Sequence, residues 1–291
     1  MLVRLLVAIV SIWLIILGTA NAGPQRTRGI VAYDDVRLDV IAEGRGPLVV
    51  LLPSRGRGSE DFDAVAAGIA DAGFRVLRPQ PRGAAGSIGP MKGLTLHDFA
   101  RDMAEVIKHE DDGPAVMVGH AFGNWVARMT AVDYPQLVRG VVIVAAAAKA
   151  YPNGFSGAKQ LSEAVRLAGD TRLPDEERLK YLRMAFFARG HDAGVWLNGW
   201  YGEVDEAESA AGRATRQSEW WSGGNVPLLD LQAANDPFKP ASMSNEMRDE
   251  FGERVTIAVI PDASHALIPE QPAAVVDAIV GWVRKFPPND R

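Results

Sequence analysis

The stretch Val116-Met117-Val118-Gly119-His120-Ala121-Phe122-Gly123 decides how this chain folds. Ala115 to Val118 is a continuous apolar run, the pattern of a strand buried on both faces. Phe122 to Tyr134 reads as a helix and stops at Pro135, which cannot continue one. Between them Gly119 and Gly123 frame a turn so short that strand passes into helix without a connecting loop. Glycine at both ends signals that neighbouring chain approaches too closely for a Cβ. The side chain midway between the two glycines, at position 121, is only a methyl group.

Outward from this turn the same alternation repeats. Arg28 to Gly44 reads as an antiparallel hairpin turning at Asp34-Asp35. Leu48–Leu52, Phe74–Leu77 and Val141–Ala145 read as further buried strands. Asp61–Ala72 and Leu96–His109 read as helices, the first ended by Gly73 and the second capped by Thr95 with Asp98 three residues on. A Gly/Pro-rich loop spans Pro79 to Gly93. After the insertion described below, Val226–Ala233 and Val255–Ile260 read as strands, Pro240–Phe251 as mostly helical, and Pro272–Lys285 as a C-terminal helix. Short apolar strands alternating with helices predict an α/β fold with a mostly parallel central sheet and helices on both faces.

The alternation breaks between about 149 and 224. Ser162–Ala168, Pro174–Arg189 and Glu206–Trp221 read as helices, and no strand is predicted. The stretch is rich in aromatics, among them Phe186, Phe187, Trp196, Trp200, Trp220 and Trp221. It is predicted to be a helical cap inserted into the sheet domain. Most of these rings would form the cap's own core, and a few would line a pocket for a small apolar molecule.

The chain has 291 residues, formal net charge −5 and no cysteine. That length suits one α/β domain with an insertion. The acidic balance and the lack of a dense Lys/Arg block argue against a nucleic-acid partner. Without cysteine there are no disulfides, thiolate nucleophiles or Cys-ligated metals. At the N-terminus Arg4, the apolar run Leu5–Leu17 and Ala20-Asn21-Ala22 form a signal-peptide pattern, with residues 1–22 removed and 23–291 forming the folded domain. The run is short for a bilayer span of ~20 apolar residues. Export to the periplasm or the medium is expected, with no membrane role beyond this segment unless it stays as an uncleaved anchor. No dinucleotide fingerprint, P-loop or His-Glu-x-x-His spacing is present, so neither a cofactor nor a metal is expected.

Gly119-x-Ala121-x-Gly123 has the form of the Gly-x-Ser-x-Gly nucleophile elbow, with alanine in place of serine. Asp236 in Ala233-Ala234-Asn235-Asp236-Pro237 follows a late predicted strand. His265 in Pro261-Asp262-Ala263-Ser264-His265-Ala266 follows the last one. The order nucleophile position, acid, histidine, together with this elbow, resembles the α/β-hydrolase superfamily, in particular its capped, serine-hydrolase-like members. The resemblance covers Gly29 to the C-terminus. It implies an Asp236–His265 pair and an oxyanion hole made by the amide of Phe122 and that of Ser54 or Arg55, in the loop Leu51-Leu52-Pro53-Ser54-Arg55-Gly56. Pro53-Ser54 departs from the His-Gly pair usual there. Arg78-Pro79-Gln80-Pro81-Arg82-Gly83 resembles the family's Asp-x-Arg-Gly-type loop. Each site residue also has a plainer reading: His265 as a surface histidine, Asp236 as a turn former, Asp262 as a turn residue that rivals Asp236. His120, Asn124 and Trp125 read as packing residues. Arg55 and Arg57 are either solvated or anion-binding.

A methyl group cannot attack a carbonyl, and losing the serine of a triad costs ~10⁶ in kcat. Three readings stay open. His265, oriented by Asp236, acts as base in a hydrolase-like enzyme for a small apolar ester-like or carbonyl substrate. Alternatively Ser54 or another nearby hydroxyl replaces the lost nucleophile. In the third, the chain is an inactive pseudo-hydrolase that binds a small ligand. An engineered Ser-to-Ala form of a serine esterase is a further alternative.

Overall fold

A computed structural model describes residues 26–110, 113–151, 155 and 157–287. The predicted signal segment, residues 1–22, lies outside the described residues. The hairpin is β1 (Thr27–Tyr33) and β2 (Val36–Glu43), joined at Asp34-Asp35. There follow β3 (Leu48–Leu52), α1 (Asp63–Asp71), β4 (Arg75–Pro79), α2 (Leu96–Glu110), β5 (Ala115–His120), α3 (Phe122–Asp133) and β6 (Val138–Val144). Among the described residues the helices that come next are α4 (Ala158–Gly169), α5 (Asp175–Ala185), α6 (Gly202–Ala214) and α7 (Gln217–Trp220). The chain closes with β7 (Leu228–Ala233), α8 (Glu246–Phe251), β8 (Val255–Ile260), α9 (Leu267–Glu270) and α10 (Pro272–Val283).

The eight strands form one sheet in the order β1-β2-β4-β3-β5-β6-β7-β8. Pairings β1–β2 and β2–β4 are antiparallel, and all the others are parallel. The central strands alternate between two apolar layers. Val50, Met117 and Ile143 face a core with side chains from α2 and α3, while Val49, Val116, Val118 and Val142 face one with side chains from α1 and α10. Helices on both faces are why these strands read as unbroken apolar runs.

Register then fixes where the loops emerge. Leu52 pairs with Gly119, His120 with Val144, Val144 with Leu231, and Ala233 with Ile260. These positions lie at the C-terminal ends of parallel strands, the edge where open α/β sheets gather their sites. The segments holding Ser54, Ala121, Asp236 and His265 all leave the sheet there.

Some boundaries differ from the predicted ones for local reasons. Strand β4 runs on to Pro79, which is the last position paired with β2. The helix predicted over Glu206–Trp221 is two helices. Thr215 and Arg216 are extended, and the Thr215 hydroxyl accepts from the Leu96 amide at 2.9 Å while donating to the Ala211 carbonyl at 3.0 Å. Helix α5 stops at Ala185 because the Phe186 carbonyl is taken by the Ala266 amide at 2.8 Å. Among the described residues no strand lies between β6 and β7, and α4 and α5 share a core that includes Leu182, Phe186, Phe187 and Trp196. Trp220 and Trp221 belong instead to the sheet's own core.

A Cβ on Gly123 would sit 2.5 Å from the Leu52 carbonyl oxygen and 2.6 Å from that of Pro53. Both are backbone atoms at a sheet edge and cannot yield. Gly123→Ala is expected to lower unfolding free energy by at least ~2 kcal/mol in urea denaturation. A loss below ~0.5 kcal/mol would show that the end of β3 moves freely relative to α3.

Candidate active site

Ala121 is the residue between β5 and α3. Its backbone stands at φ 47°, ψ −110°, a left-handed conformation that holds ~1–3 kcal/mol of strain for a residue with a Cβ. Bonds on both sides hold it there. Its amide donates to the Val144 carbonyl at 2.9 Å, and its own carbonyl accepts from the Asn124 amide at 3.2 Å and from the Asn124 side chain. Asn124 is fully buried and also accepts from Arg128. Arg128 lies between Trp220 and Trp221 and donates to the Trp221 carbonyl at 3.2 Å. Burial there lowers its pKa to about 9.

His265 lies between β8 and α9, and Asp236 follows β7. His265 Nδ1 meets Asp236 Oδ2 at 2.9 Å, and both side chains are buried. A carboxylate acceptor at Nδ1 places the proton of the neutral ring on that nitrogen. Nε2 has no protein partner among the described residues. Asp236 Oδ1 also accepts from the Phe238 amide at 2.8 Å, and the Phe238 ring packs 4.4 Å from the imidazole. Asp262 is exposed, at φ 48°, and its carbonyl accepts from His191 and Gln271, so it serves the turn. The plainer reading of His265 as a surface histidine does not fit, because the residue is 5% exposed.

His120 lies beneath His265. Its Nε2 donates to the His265 carbonyl at 2.7 Å, since a carbonyl can only accept. The ring is fully buried against Trp196. Burial first, then the neighbouring His265, lowers its pKa to about 3, so it stays neutral.

The loop after β3 carries Ser54, Arg55 and Arg57. Ser54 is buried, and its hydroxyl makes no hydrogen bond to His265. Phe122 opens α3, so its N–H has no acceptor within the helix. The two arginines are held differently. Arg55 pairs with Asp205 at 2.7 Å. Arg57 is 2% exposed, pairs with Asp61 at 2.5 Å, donates to the Asn198 carbonyl at 2.7 Å and lies over Trp196 and Trp200. It ties the loop to the inserted helices. Arg78, in the second family-like loop, is fully buried between Glu43 and Asp63, and Arg82 pairs with Asp102 at 2.8 Å.

Two buried carboxyls escaped the sequence reading. Glu270 accepts from the Ala188 amide at 2.5 Å and the Ser264 amide at 2.6 Å, clamping the His265 loop to the chain after α5. Burial raises its pKa. Glu208 on α6 accepts from the Gly56 amide at 2.7 Å. It shares the buried face of α6 with Val204, Ala207 and Ala211, and a charge on that apolar face was a readable signal. Nothing local marks Glu270.

A family model for the alpha/beta hydrolase fold matches residues 47–272. The chain belongs to this family. It is 31% identical over 109 residues to a 2-(acetamidomethylene)succinate hydrolase of Mesorhizobium japonicum, covering 38% of this chain and 39% of that one. The chain thus spans about two fifths of that relative's length. A pyrethroid hydrolase of Sphingobium wenxiniae is 23% identical over 234 residues, covering 76% of this chain and 82% of that one. The solved esterase of Exiguobacterium antarcticum superposes with TM-score 0.73 at 19% identity, over 89% of this chain and all of that one. The fold and the family therefore stand as the elbow, acid and histidine order implied.

Because His120 stays neutral when folded but protonates when unfolded, the unfolded chain binds more protons between pH 6.5 and about 3. Its contribution to stability is full above 6.5 and falls as pH drops through that window. Glutamine can keep the donor to the His265 carbonyl without titrating. His120→Gln is expected to flatten the acid limb of stability against pH, measured by denaturant unfolding, with little change at pH 7.5. An unchanged acid limb would mean that the imidazole is not held neutral.

Proposed function

We propose that the chain is a hydrolase without a serine nucleophile, acting on a small apolar ester-like or carbonyl substrate. One observation carries this reading: the buried 2.9 Å bond from His265 Nδ1 to Asp236, with no partner for Nε2 among the described residues. In this reading Nε2 takes a proton from water, and the hydroxyl so formed attacks the substrate carbonyl. The amides of Phe122 and Ser54 hold the developing oxyanion. As the intermediate collapses, Nε2–H returns the proton to the leaving oxygen and water's atoms are divided between the two products. The methyl of Ala121 leaves room for that water where a serine hydroxyl would stand. Hydrolase relatives support the reaction class, and the pattern Leu5–Leu17 with Ala20-Asn21-Ala22 supports an exported protein.

The test uses p-nitrophenyl acetate and butyrate with a fluorophosphonate probe. The parent chain is expected to turn over slowly without labelling, and His265→Ala is expected to lower kcat/KM by ~10-fold or more. Turnover that survives His265→Ala, or labelling at Ser54, overturns the water mechanism. Tight binding with no turnover supports the inactive alternative instead. Ala121→Ser is expected to raise kcat/KM by ~10³-fold or more and to create a labelled site at 121. No gain would mean that position 121, His265 and the amides are not aligned.

A further inference from the structure

A cluster of buried charges adjoins the acid loop and has no part in the chemistry above. Lys239 ends the segment Asp236-Pro237-Phe238-Lys239 and is 7% exposed. Its ammonium donates to Asp230 Oδ2 at 3.0 Å and lies 3.3 Å from Glu246 Oε1. Asp230 is fully buried in β7, and its Oδ2 also accepts from the Gln232 side chain at 2.8 Å. Glu246 opens α8, and its other oxygen accepts from the Lys149 amide at 3.0 Å, at the start of the insertion. Arg128, the residue that holds Asn124, is a second cation whose charge acts on both carboxylates. A strand, a helix and the acid loop therefore meet on one ammonium.

Such a cluster adds little stability beyond what apolar side chains of equal volume would give. Its effect is on location. An apolar side chain can pack in several places, whereas a buried ammonium must reach its carboxylates, because an unpaired buried charge is costly. Asp230 lies inside the sheet, opposite Ile143 on β6 and Ile257 on β8, so its carboxylate is a fixed point. Lys239 thus pins the far end of the acid loop to the strand from which the loop starts. The residue beside it carries the constraint into the site. Phe238 gives its amide to Asp236 Oδ1 at 2.8 Å, and its ring packs 4.4 Å from the His265 imidazole. The Lys239 amide also donates to the Asp236 carbonyl at 3.2 Å, which closes the turn.

We infer that Lys239 is a positioning residue: held by Asp230 and Glu246, it keeps Asp236 and Phe238 where the carboxylate meets His265 Nδ1. The inference rests on the proposed use of His265 as base, but the state of the pair is measured without substrate.

The experiment reads the His265 tautomer at pH 9 by two-bond nitrogen–proton NMR of the imidazole in the full chain, with His265→Ala to assign the signal. The parent ring is expected to carry its proton on Nδ1. Asp236→Ala, the reference for a lost partner, is expected to move the ring toward the Nε2–H form that a free imidazole favours. Lys239→Met is expected to move it the same way, by roughly half of that change or more. Lys239→Met/Asp230→Asn removes the ion pair without altering net charge and keeps an acceptor for Gln232. It is expected to shift the tautomer as well, and it decides the matter should Lys239→Met alone fail to fold. With p-nitrophenyl acetate both variants are expected to lose kcat by ~10-fold or more with KM within ~threefold. A variant that is less stable yet keeps the parent's Nδ1–H form overturns the inference, because Lys239 would then serve packing alone. A parent ring in the Nε2–H form overturns it too. A tautomer shift in a chain that turns over no ester supports the positioning role and counts against the hydrolytic reading instead.

Discussion

The site depends on how closely the first turn of α3 approaches the ends of β3 and β5. A Cβ at Gly119 would lie 2.3 Å from the Gly123 carbonyl and the Asn124 amide, and one at Gly123 would lie 2.5 Å from the Leu52 carbonyl. Two glycines thus allow three backbone segments to converge. The convergence sets the Phe122 N–H beside the chain leaving β3. It also holds residue 121 at positive φ whatever its side chain, through the Val144 and Asn124 bonds. Because β5 is central, an error there would displace β3 on one side and β6 on the other.

A second constraint joins the inserted helices to the histidine loop. The Ala266 amide bonds the Phe186 carbonyl, and Glu270 accepts from Ala188 and Ser264. His120 bonds the His265 carbonyl from below, and Phe186 and Phe238 pack on the imidazole. The ring is therefore held by the strand beneath it, by the chain following α5 and by its own carboxylate partner. Arg57 makes the matching tie on the other side, from the loop after β3 to Asn198 and the faces of Trp196 and Trp200. Movement of the inserted helices would disturb both His265 and the neighbouring amides, so the two sides of the candidate site are coupled.

What was readable in the sequence follows from range. The elbow, the buried strands and the Asp34-Asp35 hairpin are each specified within a few residues, by apolar runs and turn formers, and their positions matched closely. The pairing of Asp236 with His265 was inferred from order along the chain, and parallel register brings them together across 29 residues of sequence. The break at Thr215 was invisible because its cause, the Leu96 amide, lies 119 residues away. The role of Arg57 was equally hidden: its partners Trp196 and Asn198 belong to the insertion. Glu208 is the instructive miss, because its place on the apolar face of α6 was legible, and only the identity of the group it faces was not.

Strain at Ala121 says little about catalysis, because the turn imposes positive φ on any residue there. The imidazole is more informative. A fold that needed only a closed apolar cleft could fill the place of His265 with a hydrophobic side chain and avoid burying two polar groups. It instead buries an imidazole and a carboxylate together and satisfies one face of the pair with the Phe238 amide. Burying such a pair gains little stability over apolar packing of the same volume. The packing of this pair therefore supports the proposed reaction at Nε2, in which the methyl of Ala121 leaves the attack to water.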